Sequence, residues 1–198
     1  MKLSILIASL YQRGDMLANL MNHLSLQMSD KVKKEIGNFR YVFNEEVEII
    51  AHCDNGQISI GEKRNTLLAE AKGDYIVFID DDDMVPDYYI DEILKGVETG
   101  CDSMAINGIM TTNGEDKREW LIYQGSEYND QGGVYHRFPN HITPVKRGLA
   151  LAASFPLLNN GEDYQYAVRL KDLGLLKTEY IIRKPMYHYQ YLTYNKTH

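Results

Sequence analysis

The stretch Tyr75-Ile76-Val77-Phe78-Ile79-Asp80-Asp81-Asp82-Asp83 constrains the fold of this chain more than any other. Its first five residues are β-branched or aromatic, as in a strand buried on both faces of a parallel sheet. Four carboxylates then follow without a break. Neighbouring carboxylates raise one another's pKa and resist ionising together, so this strand end calls for a cation, most simply a divalent metal. In extended backbone successive side chains alternate. That predicts that Asp80 and Asp82 point one way and Asp81 and Asp83 the other, which makes an Asp-x-Asp pair.

Strand and helix patterns alternate around this run. Residues 3–9 (Leu-Ser-Ile-Leu-Ile-Ala-Ser) read as a buried strand, and Gln12, Arg13 and Gly14 as the polar turn after it. Leu17, Leu20, Met21, Leu24 and Leu26 approximate helical spacing, which predicts a helix over 15–28. Residues 31–35 are charged and read as a solvated linker. A second strand over 48–52 ends at Cys53-Asp54-Asn55-Gly56, where Asn-Gly marks a turn. A helix over 61–72 buries Leu67, Leu68 and Ala71 and stops at Gly73. After the carboxylates, Pro86 and Asp87 open a helix closed by Gly100. Three strands alternating with helices predict a Rossmann-like, mostly parallel sheet flanked by helices. Such sheets bind ligands outside the carboxyl ends of their strands, where Ser9, Asp54 and Asp80 to Asp83 fall.

The second half has a different character. Strands over 103–111 and 118–123, joined through Asn113-Gly114, predict an added antiparallel hairpin. Residues 124–140 read as a long loop carrying Tyr128, Tyr135 and Phe138, whose rings either stack on a ligand or simply pack. Gly161-Glu162-Asp163 opens a helix to about residue 172. On it Asp163 shares a face with Ala167 and Leu170, so its carboxylate should turn toward the protein. Residues 180–182 and 186–191 read as two late strands, with Pro185 between them confining at least one to an edge.

At 198 residues the chain is expected to form one domain, residues 1–100 building one half of a site and 101–198 the other. A formal net charge of −7 argues against a broad nucleic-acid-binding face. Cys53 and Cys101 lack metal-ligand spacing, and no secretory signal precedes the first apolar run. Free thiols and a reducing cytoplasm are therefore expected. No apolar run approaches the roughly 20 residues that span a bilayer.

Asp80 and Asp82 offer hard oxygen ligands suited to Mg²⁺ or Mn²⁺ shared with phosphate oxygens. No frame through Asp80 to Asp83 supplies the glycine and distal glutamate of a calcium-binding EF-hand. An Asp-rich turn that merely favours a helix N-terminus is the bland alternative. Lys63 and Arg64 lie at a helix start, where charge and dipole favour phosphate, although exposed Lys-Arg pairs are commonly just solvated.

Taken together, Gly61-x-Lys63-Arg64-Asn65, Ala71-x-Gly73-Asp74-Tyr75, Phe78-Ile79-Asp80-Asp81-Asp82-Asp83 and, about eighty residues on, Gly161-Glu162-Asp163 resemble the family 2 glycosyltransferases of GT-A fold. The opening strand resembles that family's first strand, with Ala8 where proline is usual. Asn55-Gly56-Gln57 replaces the usual second acid with Gly-Ser. The resemblance implies that Asp54 contacts the nucleotide base and Ser9 lies near the nucleoside. Arg64 would approach the donor phosphates or base. Asp80 would lie nearer the ribose, Asp82 on the metal, and Asp81 beside them. Asp163 would be the general base, and a late histidine, His188, could complete the metal shell or simply pack. His141 could line an acceptor site.

The implied activity is metal-dependent, inverting transfer of a sugar from a nucleoside-diphosphate sugar to a hydroxyl of a glycan, lipid, protein or modified base, with Mn²⁺ or Mg²⁺ as cofactor. For such chemistry a carboxylate must take the acceptor's proton as it attacks, a role Asp163 can fill. A helix-capping carboxylate is the alternative there. For the whole chain, a sugar-nucleotidyltransferase would want a Gly-rich loop where Leu10-Tyr11-Gln12-Arg13 stands. A non-catalytic nucleotide-sugar or glycan-binding module would turn nothing over.

Overall fold

A computed structural model describes residues 1–37 and 39–191. The first half contains β1 (Leu3–Leu10), a 3-10 turn (Tyr11–Arg13), α1 (Gly14–Leu26), β2 (Lys33–Glu35), β3 (Arg40–Phe43), β4 (Val47–Asp54), α2 (Ile60–Glu70), β5 (Tyr75–Phe78) and α3 (Tyr89–Glu98). The second contains β6 (Ser103–Thr112), β7 (Glu115–Ile122), β8 (Asn129–Gln131), β9 (Val134–Arg137), β10 (Val145–Lys146), α4 (Arg147–Ala153), α5 (Glu162–Asp172) and β11 (Glu179–Tyr191).

The strands form one mixed sheet in the order β2-β3-β4-β1-β5-β10-β6-β7-β9-β8, with β11 paired to β6. Its centre is parallel: Leu6 lies between Ile50 of β4 and Phe78 of β5. Alternation along these strands divides the core in two. Leu3, Ile5, Ile7, Tyr75 and Val77 join Leu17, Leu20, Leu24, Ile90 and Ile93 of α1 and α3 on one face. Leu6, Ala8, Ile76 and Phe78 join Leu67, Leu68, Ala150, Tyr166 and Leu170 of α2, α4 and α5 on the other. Burial on both faces explains the unbroken apolar runs of β1 and β5.

The hairpin β6–β7 turns at Asn113 and Gly114, both with positive φ (52° and 83°), as a tight Asn-Gly turn requires. Cys53 and Cys101 are free thiols. Among the described residues, no helix is long and apolar enough to cross a membrane.

Three expectations change. Residues 33–35, read as linker, form β2 at the sheet margin, held by backbone pairing to β3 while all three side chains stay exposed. Charged residues suit such an edge, which is why composition alone hid it. The predicted loop 124–140 contains β8 and β9, of which β9 pairs with β7 and β8 with β9. The two late strands are one, β11, in which Pro185 is absorbed by register shifts between Ile181 and Tyr187.

Candidate active site

The carboxyl ends of β1, β4 and β5 meet, bringing Ser9, Asp54 and Asp80 to Asp83 to one rim of the sheet. Regular strand ends at Phe78, and a turn closed by Asp83 N donating to Asp80 O (3.1 Å) follows. Simple alternation is therefore broken, and each carboxylate finds its own environment. Asp80 accepts from Arg64 Nη2 (2.9 Å), lies 3.1 Å from His141 Nε2, and its backbone N–H donates to the Tyr187 hydroxyl (3.1 Å). Burial alone would raise its pKa, but the charges of His141 and Arg64 outweigh that and hold the carboxyl well below its ordinary value.

Asp81 and Asp82 share one guanidinium. Arg13 in the 3-10 turn reaches Asp81 (3.0 Å) and Asp82 (2.5 Å), and Ser9 Oγ donates to Asp81 (2.5 Å). Asp83 accepts from Tyr187 OH (2.9 Å) and Gln190 N (3.1 Å). Burial, reinforced by the charge on Asp80, pushes Asp83 up to about 8, so it is largely protonated at neutral pH. The sequence's demand for a cation is thus met from within the chain, by two arginines and one retained proton.

The motif Gly61-x-Lys63-Arg64-Asn65 works as scaffolding around this rim. A Cβ on Gly61 would fall 1.9 Å from Pro156 O, so only glycine lets α2 start against that segment. Lys63, 3% exposed, donates to Ser9 O (2.6 Å) and pairs with Asp54, tying the ends of β1 and β4 together. Burial opposes ionisation of Asp54, but Lys63 and the backbone N–H groups of Ile58 and Gly56 bring its pKa down to about 2. Arg64, also 3% exposed, spans Asp80 and Glu162 Oε1 (2.5 Å). Asn65 exchanges both side-chain bonds with the backbone of Phe155 (2.8 and 2.9 Å). Sequence reasoning saw the two cations as ligands for phosphate; in the structure both are buried and spend their charge on carboxylates.

Asp163 lies in the first turn of α5, half-buried, with Ala167 and Leu170 buried on the same face. Gly161 is the N-cap, in the left-handed region (φ 77°), and no side chain caps the helix. A cavity of about 290 Å³ is lined by both Asp163 and Asp80. Asp83, His141, Tyr187 and Tyr189 complete its floor, and Trp120, Tyr135 and Arg137 form a wall from β7 and β9. The arrangement places a half-buried carboxylate and a strand-end carboxylate on one open cleft, where two bound molecules could meet.

Sequence reasoning missed Arg13, Trp120, Arg137 and Tyr187, and gave Glu162 only a minor part. A lone arginine in a turn or an aromatic in a strand carries no local signal. Only the Glu162-Asp163 dipeptide could have hinted at Glu162, which is 6% exposed and reaches Arg64. His188 lies on β11 next to Tyr187, and its Nε2 is 2.9 Å from Thr111 Oγ1. Alternation along β11 turns it away from the face on which Tyr187 holds Asp80 and Asp83.

For a divalent metal the donor chemistry fits. Asp80 and Asp82 are hard oxygen donors, 29% and 43% exposed in their side chains, so both are reachable. Among the described residues no group of three or more His, Cys, Asp or Glu side chains is assembled to hold a metal ion. An ion there would take its remaining ligands from a bound phosphate and water, as Mg²⁺ commonly does.

Comparison with known proteins fits this geometry. The fold is similar to that of TarS 1–349 from S. aureus, with a TM-score of 0.57 at 13% identity over 96% of this chain. A second structure, TarS 1–349 in complex with UDP-GlcNAc, gives the same TM-score and identity over the same share. The chain spans 60% and 58% of those two structures respectively. At this identity the likeness concerns the fold. No curated protein matches the sequence closely enough to count as a relative. Residues 25–152, more than half of the chain, match the family described as Glycosyl transferase family 2. On that match the chain belongs to the family 2 glycosyltransferases.

Proposed function

We propose that this chain is a metal-dependent, inverting glycosyltransferase that moves a sugar from a nucleoside-diphosphate sugar to an acceptor hydroxyl. The observation that carries this reading is the single cavity shared by Asp80 at the end of β5 and Asp163 at the start of α5. The family match and the complexes of TarS with UDP and with UDP-GlcNAc support a nucleotide-sugar donor. In the division proposed, residues 1–100 bind the donor and 101–198 face the acceptor.

Ser9 and Asp54 sit at adjacent strand ends and take the nucleoside, held in place by Lys63. Asp80 and Asp82 would hold Mn²⁺ or Mg²⁺, which when bound supplies Lewis-acid stabilisation of the departing diphosphate. Asp81 supports them through Ser9 and Arg13. His188, its ring on Thr111 and turned from the face that carries Asp80, takes no part in this ion site. Arg64 fixes the distance between the halves by clamping Asp80 on one side and Glu162 on the other. Glu162 is thereby pinned, and Asp163 beside it stays free of any cap interaction to accept the acceptor's proton.

Release of nucleoside diphosphate tests the reading. The chain is incubated with a panel of nucleotide sugars, Mn²⁺ or Mg²⁺, and sugar, polyol and lipid acceptors. One donor should be turned over, with loss of release on chelation and sharply weakened metal dependence in Asp82→Ala. Tight donor binding with no release from any donor would identify a binding module instead.

A further inference from the structure

The wall of the cavity opposite the strand-end carboxylates carries a cation that the mechanism leaves unused. β9 runs parallel to β7, with Trp120 beside Tyr135 and Ile122 beside Arg137. Paired residues share a face of the sheet, so these four side chains present one surface, and all four line the cavity that contains Asp163. Arg137 is held there by aromatic rings. Its Cζ lies 5.0 Å from the Tyr128 ring centre and 5.1 Å from that of Tyr135. One nitrogen, Nη1, donates to Asn129 O (3.2 Å) and His136 O (2.8 Å).

What distinguishes Arg137 is its charge balance. Arg13 and Arg64, the other guanidiniums at the cleft, each reach two carboxylates. No carboxylate among the described residues forms an ion pair with Arg137, and its Nε and Nη2 donate to no described group. Trp120 Nε1 and His141 Nδ1, in two residues that line the cavity, are buried without a hydrogen-bond partner. Buried polar atoms left in this state are costly. A planar guanidinium held against two rings, with Nε and Nη2 uncommitted, can present that edge to a bidentate oxyanion.

From this we propose that the acceptor carries an anionic oxygen group, a phosphate or a carboxylate, close to the hydroxyl that is glycosylated, and that Arg137 recognises it. The inference rests on the assignment of this cavity to the acceptor. A cavity of about 290 Å³ holds a sugar-sized unit beside Arg137, so the charge sits on that unit or its immediate neighbour.

Calorimetric titration with glucose, glucose 6-phosphate and glucuronate, in the presence of UDP and Mn²⁺, tests it. At least one anionic probe should bind roughly tenfold or more tightly than glucose, as a charge-assisted contact provides. The phosphate and carboxylate arms distinguish the two sources of charge. Arg137→Gln should abolish the preference with UDP affinity unchanged, and Arg137→Lys should restore part of it. Anionic probes that bind no better than glucose, or a preference that survives in Arg137→Gln, overturn the inference while leaving the donor site intact. A fall in melting temperature in both variants with the preference retained would make Arg137 only a pin for the hairpin, which also overturns it. Failure of UDP itself to bind would overturn the assignment of function, and this inference with it.

Discussion

Replacing Arg64 by methionine probes the joint between the two halves of the cleft. The side chain is 4% exposed, and its guanidinium serves Glu162 at 2.5 Å and Asp80 at 2.9 Å. Its Cζ also lies 5.6 Å and 5.9 Å from the ring centres of Phe155 and Phe78. Methionine refills most of the volume, so the loss is electrostatic. Asp80 retains His141, whereas no other described side chain pairs with Glu162. Removing one partner of a buried pair costs about 3–5 kcal/mol, because the charge left behind is uncompensated. For a chain of this size that corresponds to a fall in Tm of roughly 6–20 °C. Scanning calorimetry or circular dichroism of Arg64→Met reads it directly. Adding Glu162→Gln in the same chain should recover part of the loss, because the stranded charge is then gone. A Tm within about 2 °C of the parent, or a double variant as unstable as the two single losses added together, would refute the joint.

Other consequences are separable. Asp102 accepts from Lys146 and from the backbone N–H groups of Lys177 and Thr178, which overcome burial and bring its pKa down from 3.8 to about 2. A depressed carboxylate stabilises the fold above its unfolded pKa and loses that contribution as pH falls toward 2, so Asp102→Asn should cost about 2 kcal/mol at pH 7 and almost nothing near pH 2. Urea titrations at the two pH values check this. Gly108→Ala would set a Cβ 2.1 Å from Tyr187 O and 2.4 Å from Trp120, so it should destabilise by about 1–3 kcal/mol and shift the emission of the chain's one tryptophan. Arg13→Gln removes the guanidinium that now occupies Asp82, and Mn²⁺ should bind roughly three- to tenfold more tightly as a result. Weaker Mn²⁺ binding in that variant would mean that Arg13 supports the ion site instead of competing for it.

The parallel centre of the sheet was legible because β1 and β5 are buried on both faces, and such burial leaves unbroken apolar runs. The hairpin β6–β7 was legible for a different reason: Asn113-Gly114 has few conformations other than a tight turn. Strand β2 was hidden because its three residues are charged and exposed, and only its neighbour's backbone makes it a strand. The four carboxylates showed where charge gathers but not how it is balanced. Arg13 comes from a turn and Arg64 from a helix, so their convergence is a property of the tertiary fold. Lys63 and Arg64 were visible as cations, yet burial turned them from free charges into struts. The wall of Trp120, Tyr135 and Arg137 depends on the parallel pairing of β7 with β9, which no local pattern announces.

The proposed function assigns the donor and the proton acceptor to separate carboxylates of the shared cavity, and Asp163→Asn tests this assignment most directly. Donor affinity is measured by titration and turnover by nucleoside-diphosphate release, on the same preparation. The geometry predicts donor affinity within about twofold of the parent and a rate reduced by 10²-fold or more, the usual contribution of a positioned base. Turnover within a fewfold of the parent would remove Asp163 from the chemistry and contradict the reading of this cleft.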